Sequence, residues 1–264
     1  MSRLLFVVIT IVSLGLVRTA SAAEPYSWTG WYGGGSIGWS HSNTTTSQSL
    51  SQPNCGGGGC PTQLSAVNSI APDLTSDNVT GGVQAGYNWR FGQFIAGVEA
   101  DFNYVGMNKT TTTSVTYAPG GGATKTVTAT QASQSNVVGT FRPRVGYLPA
   151  PNWLVYVTGG LAVTDFNYSN NVSIVAVGGG APGTQATFSS SSKPNIGYVL
   201  GGGFEYAWSN KMTVKAEYQH LQFNSVNSLA INTVTNGTDL PGASLNSQSK
   251  VAADIVRFGV NWKL

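Results

Sequence analysis

Eight ionisable side chains in this 264-residue chain stand where they could act together. Glu99 and Asp101 are two positions apart, as are Arg142 and Arg144, and Lys215 and Glu217; Glu205 and Arg257 lie in segments of the same kind. A spacing of two puts both members of a pair on one face of an extended strand. Four acids against four bases, with Arg90 further off near a turn, is close to balance. Gathered in a confined interior they would pair, because an unpaired charge removed from water is expensive. The same set around an open bore would be a charged pore lining.

The remaining reactive residues are sparse. The two histidines, His41 and His220, both fall at strand ends, and no serine stands in step with His220 to build a Ser-His-acid set. They read as lone interfacial histidines, and a lipid-modifying enzyme, which needs such a set, is the weaker rival. Gly120 to Thr126 looks superficially like a phosphate-binding loop. Thr124 stands where glycine must precede the lysine, and no helical pattern follows, so it reads as a loop tip. Cys55 and Cys60 enclose four glycines, and in an oxidising compartment they are expected to form a disulfide. With no further cysteine and no histidine nearby they cannot complete a metal site. No catalytic, metal or cofactor-binding residue is assigned, so the expectation is a protein without catalysis or cofactor.

The elements that carry the eight charges are strands with unlike faces. From Val79 to Phe91 the odd positions read Val79, Val83, Ala85, Tyr87, Trp89 and Phe91 around Gly81, and the even positions are Thr80, Gln84, Asn88, Arg90 and glycines. The small or polar set could not build a dry core, but it could line a wet or ion-paired lumen, and the bulky set suits lipid. Eight such segments are predicted, at 31–42, 79–91, 94–104, 137–147, 153–164, 196–208, 212–222 and 252–264. Each is roughly the 9–11 residues that a tilted strand needs to cross a bilayer. The eight charges all fall on the inward faces. An eight-stranded barrel has an interior that side chains can fill, which favours an ion-pair plug over a pore.

Connections alternate between tight turns, such as Gly92-Gln93 and Ser209-Asn210, and long stretches rich in Ser, Thr, Asn and Gly at 43–78, 105–136, 165–195 and 223–251. Short periplasmic turns and long extracellular loops are the pattern of an outer-membrane barrel. That assignment puts Trp31, Trp89, Trp153, Trp208 and Trp262 at the periplasmic ends of their strands, and Trp39, Tyr104 and Tyr218 at the other ends. Two aromatic belts emerge from a topology chosen on loop length alone.

Composition agrees. Charged residues make up 9% of the chain and there are 34 glycines. Mean hydropathy is close to zero, as expected where lipid-facing and lumen-facing residues alternate. Arg3, the apolar stretch from Leu4 to Val17 and Ala20-Ser21-Ala22 predict a signal peptide over 1–22, leaving 23–264 as the barrel domain. Removing Arg3 and Arg18 takes the net charge from +3 to +1, so nothing points to nucleic acid. Trp28 opens the barrel and Leu264 closes its last strand, so a second domain is not expected.

The segments from Trp28 to Gly34 (Trp-Thr-Gly-Trp-Tyr-Gly-Gly), from Gly81 to Trp89 and from Val256 to Trp262 resemble the small outer-membrane immunogenic proteins of Gram-negative bacteria, a branch of the OmpA-like β-barrel superfamily. The resemblance covers the strands and not the loops. It implies an all-β, eight-stranded antiparallel up-and-down transmembrane barrel in the outer membrane. It also implies a structural and surface-antigen role in the envelope, and assembly by the barrel assembly machinery through the C-terminal strand. Many members end on an aromatic residue; this chain ends on Leu264, with Phe258 and Trp262 in step before it. Outer-membrane lipid and lipopolysaccharide are the expected surroundings of a monomer, and a small diffusion pore is the alternative function.

Overall fold

The computed structural model describes residues 26–51, 65–67, 69–70, 73–120, 122–178, 183–193, 196–234 and 242–264. Eight strands form a ring: β1 (Gly30–Ser51), β2 (Leu74–Phe91), β3 (Phe94–Gly120), β4 (Ala123–Ala150), β5 (Trp153–Thr164), β8 (Ile196–Ala207), β9 (Met212–Phe223) and β11 (Ser244–Lys263). Each pairs antiparallel with its ring neighbours, and β11 returns to β1 through Tyr32↔Lys263 to Ser51↔Ser244. Closure satisfies the backbone groups at membrane level, where lipid offers no partner. The turn at Gly92 takes φ +65°, a conformation open to glycine without steric cost.

Facing follows the predicted period. Val83, Phe102, Phe141, Val157, Leu200 and Phe258 are exposed on the outside of the ring. The five tryptophans Trp31, Trp89, Trp153, Trp208 and Trp262 are 42 to 60% exposed, and neighbouring rings pair them into a girdle, as in Trp31–Tyr87 at 5.1 Å and Trp153–Tyr206 at 4.9 Å.

The segments expected as long loops are largely strand, which corrects the sequence reading. β1 runs on to Ser51, β3 and β4 form one hairpin of 27 and 28 residues, and β11 starts at Ser244. Three further strands, β6 (Asn167–Val177), β7 (Gly183–Ser192) and β10 (Val226–Ile231), lie only in this upper part. β6 pairs with β4, β7 with β6, and β10 with β11. The Thr233 N–H donates to the Thr187 carbonyl at 3.1 Å and joins the end of β10 to β7. The barrel therefore rises beyond the aromatic girdle as a sheet wall. Its inner face buries Leu50, Val127, Ala129, Val172, Ile174, Phe188, Ala230 and Leu245 with Ala66, Val67 and Ile70 from the 52–73 connection. Threonine fits a pleated half-buried surface, and the exposed face of β3 and β4 carries a ladder of Thr112–Thr130, Ser114–Thr128 and Thr116–Thr126 hydroxyl contacts at 3.0 to 3.1 Å.

Strand length makes this testable. At roughly 3.3 Å per residue, the β3–β4 tip stands tens of ångströms beyond Tyr104. An epitope tag inserted at Gly122 is expected to label on intact cells, and one between Gly92 and Gln93 only after permeabilisation. Labelling of the Gly92 tag on intact cells would invert the barrel.

Candidate functional site

The lumen holds the eight predicted charges in one cluster at mid-height. Glu99 on β3 is the hub. Its carboxylate lies 2.6 Å from Arg142 Nη2, 3.4 Å from Arg144 Nη1, 2.9 Å from Lys215 Nζ and 3.3 Å from Arg257 Nη2. Asp101 takes Arg142 at 2.6 Å and Arg257 at 3.2 Å. Glu217 takes Arg142 at 2.7 Å, Arg257 at 2.9 Å and Lys215 at 3.7 Å. Glu205 takes Arg144 at 2.8 Å. All eight are buried. Arg90, by contrast, stays at the periplasmic rim, where its Nε donates to the Gly92 carbonyl.

Neutral side chains complete the cluster: Thr140 is expected inward beside Arg142 and Arg144, whereas Tyr32, Tyr156 and Thr213 were missed by the sequence reading. The Tyr32 hydroxyl donates to Glu99 at 2.9 Å and accepts from Arg144 at 3.0 Å. The Tyr156 hydroxyl donates to Glu217, Thr140 to Asp101 and Thr213 to Glu205. The Arg144 guanidinium also lies over the Tyr156 ring at 4.1 Å. The available signal was parity: Tyr32 and Tyr156 are even positions in strands whose odd positions face lipid.

Glycines make room for these long side chains. A Cβ at Gly86 would lie 2.3 Å from the Tyr32 hydroxyl oxygen and 2.5 Å from the Val98 carbonyl, whereas at outward Gly33 the nearest atom is 3.9 Å away. Gly86→Ala is expected to destabilise the barrel by about 1–3 kcal/mol, the usual effect of overpacking, and Gly33→Ala to leave it unchanged. Urea unfolding midpoints in detergent would measure both, and equal midpoints would mean that β2 presents its faces the other way round.

The cluster sits between two apolar layers. Below it, on the periplasmic side, are Tyr26, Trp28, Ile95, Leu148, Leu154, Tyr156 and Ala207, with the Trp28 indole donating to the Pro151 carbonyl at 2.9 Å. Above it are Leu74, Val105, Met107, Val138, Phe166, Val199, Leu221 and Ile255 with their neighbours. The expectation that the inward set could not build a dry core is corrected here. Inward isoleucine, leucine and valine occur singly on many strands, and only closure of the ring brings them into layers.

Both histidines turn outward and are paired, not alone as expected: His41 Nδ1 is 2.6 Å from Asp77 and His220 Nδ1 is 2.8 Å from Asp254. Lys125 and Thr126 of the phosphate-loop lookalike belong to β4. Cys55, Cys60 and the signal segment lie outside the described residues.

A closed ring of antiparallel strands, apolar and aromatic-girdled outside and filled within, defines a transmembrane β-barrel. The chain matches the outer membrane protein beta-barrel domain family over residues 9–263 and belongs to that family. It is 30% identical over 261 residues to the 31 kDa outer-membrane immunogenic protein of Brucella melitensis biotype 1, covering 96% of this chain and 90% of that one. It is 32% identical over 157 residues to a 22 kDa outer membrane protein of Rhizobium leguminosarum, covering 58% of each. Among solved structures, the outer membrane protein OprG from Pseudomonas aeruginosa aligns at a TM-score of 0.44 and 9% identity, over 92% of this chain and 100% of that one. The protein is thus an outer-membrane barrel related to the outer-membrane immunogenic proteins.

Proposed function

We propose that this protein is a structural component of the outer membrane whose lumen does not conduct and whose upper sheet wall is its antigenic surface. It has no catalytic role in this reading. What carries the proposal is the filling of the lumen. Arg142 reaches from β4 to Glu217 on β9 while also holding Glu99 and Asp101 on β3, so the side chains span the bore, and apolar layers lie on both sides. A balanced set of buried charges bridged in this way resists separation, because each member would leave a partner uncompensated.

Its surroundings in this reading are outer-leaflet lipid and lipopolysaccharide. The barrel assembly machinery would engage the closing strand β11, and the protein would act as a monomer with its signal peptide removed. Single-channel recording of the refolded barrel in planar bilayers tests the reading. The expected trace has no discrete steps at high potassium chloride; a stable unitary conductance would make the protein a small diffusion pore instead.

A further inference from the structure

Above Tyr104 the wall divides into two sheets packed face to face. One consists of β3, β4, β6 and β7, the other of β2, β1, β11 and β10. The β2–β3 ladder stops at Gly81↔Tyr104, and among the described residues no strand ladder joins the two sheets above it. At the far edge β10 meets β7 through Thr187. Its N–H donates to Asn232 Oδ1 and its carbonyl accepts from the Thr233 N–H, both at 3.1 Å.

The two sheets are rooted differently in the ring below. In the second, β1, β2 and β11 run unbroken from the ring into the wall, and β10 is set off from β9 at 224–225. In the first, β4 alone runs through without interruption. β3 carries a register shift between Tyr104 and Met107, with Gly106 at φ +52°. β5 ends at Thr164 before β6 begins at Asn167, and β7 ends at Ser192 before β8 begins at Ile196. Such bulges and element ends are where a sheet bends and where hinges absorb backbone rotation.

The space between the sheets holds two opposed tiers. The upper one is apolar, with Leu50, Leu245, Val172 and Phe188. In the tier below, register sets Gln131, Asn170 and Ser190 side by side on the first sheet and Gln48 beside Ser247 on the second. Asn170 Nδ2 donates to Ser247 across the gap at 3.2 Å. Both amide atoms of Gln48, both of Gln131, Asn170 Oδ1 and Ser190 Oγ are buried with no hydrogen-bond partner. Water would satisfy these atoms in an open wall, so the amide tier opposes closure while the apolar tier favours it.

We propose that the β3–β4–β6–β7 sheet is a jaw. It swings on β4 at the level of Gly106, parts the β7–β10 edge and admits water to the amide tier. The second sheet, continuous with the ring through three strands, stays fixed. Val199 and Leu221 of the apolar layer, and the ion cluster beneath them, stand on ring strands that the jaw does not carry. The lumen therefore remains closed while the wall opens, and the extracellular part gains a second, inner surface.

Cysteine labelling of the refolded full chain in detergent tests it, with a charged methanethiosulfonate as the probe. The unaltered chain, labelled in parallel, gives the contribution of Cys55 and Cys60. Each sample is first checked for heat-modifiable gel mobility; its absence in the unaltered chain would overturn the barrel, and the jaw with it. Asn170 and Val199 are both buried, yet Asn170→Cys is expected to react at least about tenfold faster than Val199→Cys, because local opening reaches only the wall. Ser190→Cys is a second reporter on the jaw and should behave as Asn170→Cys does. Asn232→Ala removes a hydrogen bond of the β7–β10 edge and should speed both jaw reporters about two- to tenfold, leaving Val199→Cys unchanged. Gln131→Leu removes two unpartnered polar atoms and should slow both by a similar factor. Equal protection of the jaw and ring reporters, equal acceleration of Val199→Cys by Asn232→Ala, or faster labelling in Gln131→Leu would each overturn the jaw.

Discussion

Arg142→Ala is expected to lower the unfolding free energy of the refolded barrel by about 3–5 kcal/mol, the range for removing one partner of a buried charge pair. The Arg142 guanidinium binds Glu99, Asp101 and Glu217 at 2.6, 2.6 and 2.7 Å. Alanine takes one cation from a balanced set and leaves three carboxylates converging. Arg257 still reaches all three at 2.9 to 3.3 Å, which places the loss towards the lower end. Urea titration followed by tryptophan fluorescence measures it. Arg142→Met combined with Glu217→Gln removes one charge of each sign and should recover part of the stability. Unchanged stability together with an altered ion selectivity would assign the charges to a pore lining and sink the closed-lumen reading.

Val83→Arg is expected to cost roughly 2–4 kcal/mol, the penalty for a cation near the bilayer midplane on a barrel's lipid face. Val83 is 64% exposed on β2, between the two aromatic belts. Thr112→Arg, equally outward but on the wall above the girdle, should leave stability unchanged because that face meets water. The pair locates the upper edge of the membrane, and equal losses would mean that the wall is embedded. Period alone makes neighbouring Gln84 the milder site for a cation. The structure reverses this: Gln84 is buried and its amide donates to Asn261 at 2.8 Å. An arginine there would add an uncompensated charge to a balanced interior, so Gln84→Arg is expected to be as disruptive as Val83→Arg.

The alternation from Val79 to Phe91 and the terminal positions of Trp31, Trp89, Trp153, Trp208 and Trp262 were enough to define a barrel, its strand facing and its girdle. The reason is that lipid and lumen impose opposite solvents on successive residues, so the pattern is written locally, two positions at a time. Glu99, Arg142 and Lys215 could be placed indoors by the same rule. What parity does not contain is who meets whom. Glu99 became the hub because ring closure and strand register bring β3, β4, β9 and β11 to one level, and those contacts span up to 158 positions along the chain.

The upper wall was hidden for a related reason. Serine, threonine and asparagine suit both solvated loops and the outer face of a sheet, and the apolar residues that hold the wall, Leu50, Val127, Val172, Phe188 and Leu245, are scattered one or two to a segment. Only β6, with its Val172-Ser173-Ile174-Val175-Ala176-Val177 run, has enough apolar surface to announce a strand by itself; the other wall segments described do not. Local solvent preference therefore determined the barrel from sequence alone. The ion-pair partners, the apolar layers and the wall above the membrane were decided by tertiary structure, because each arises from burial shared among distant strands.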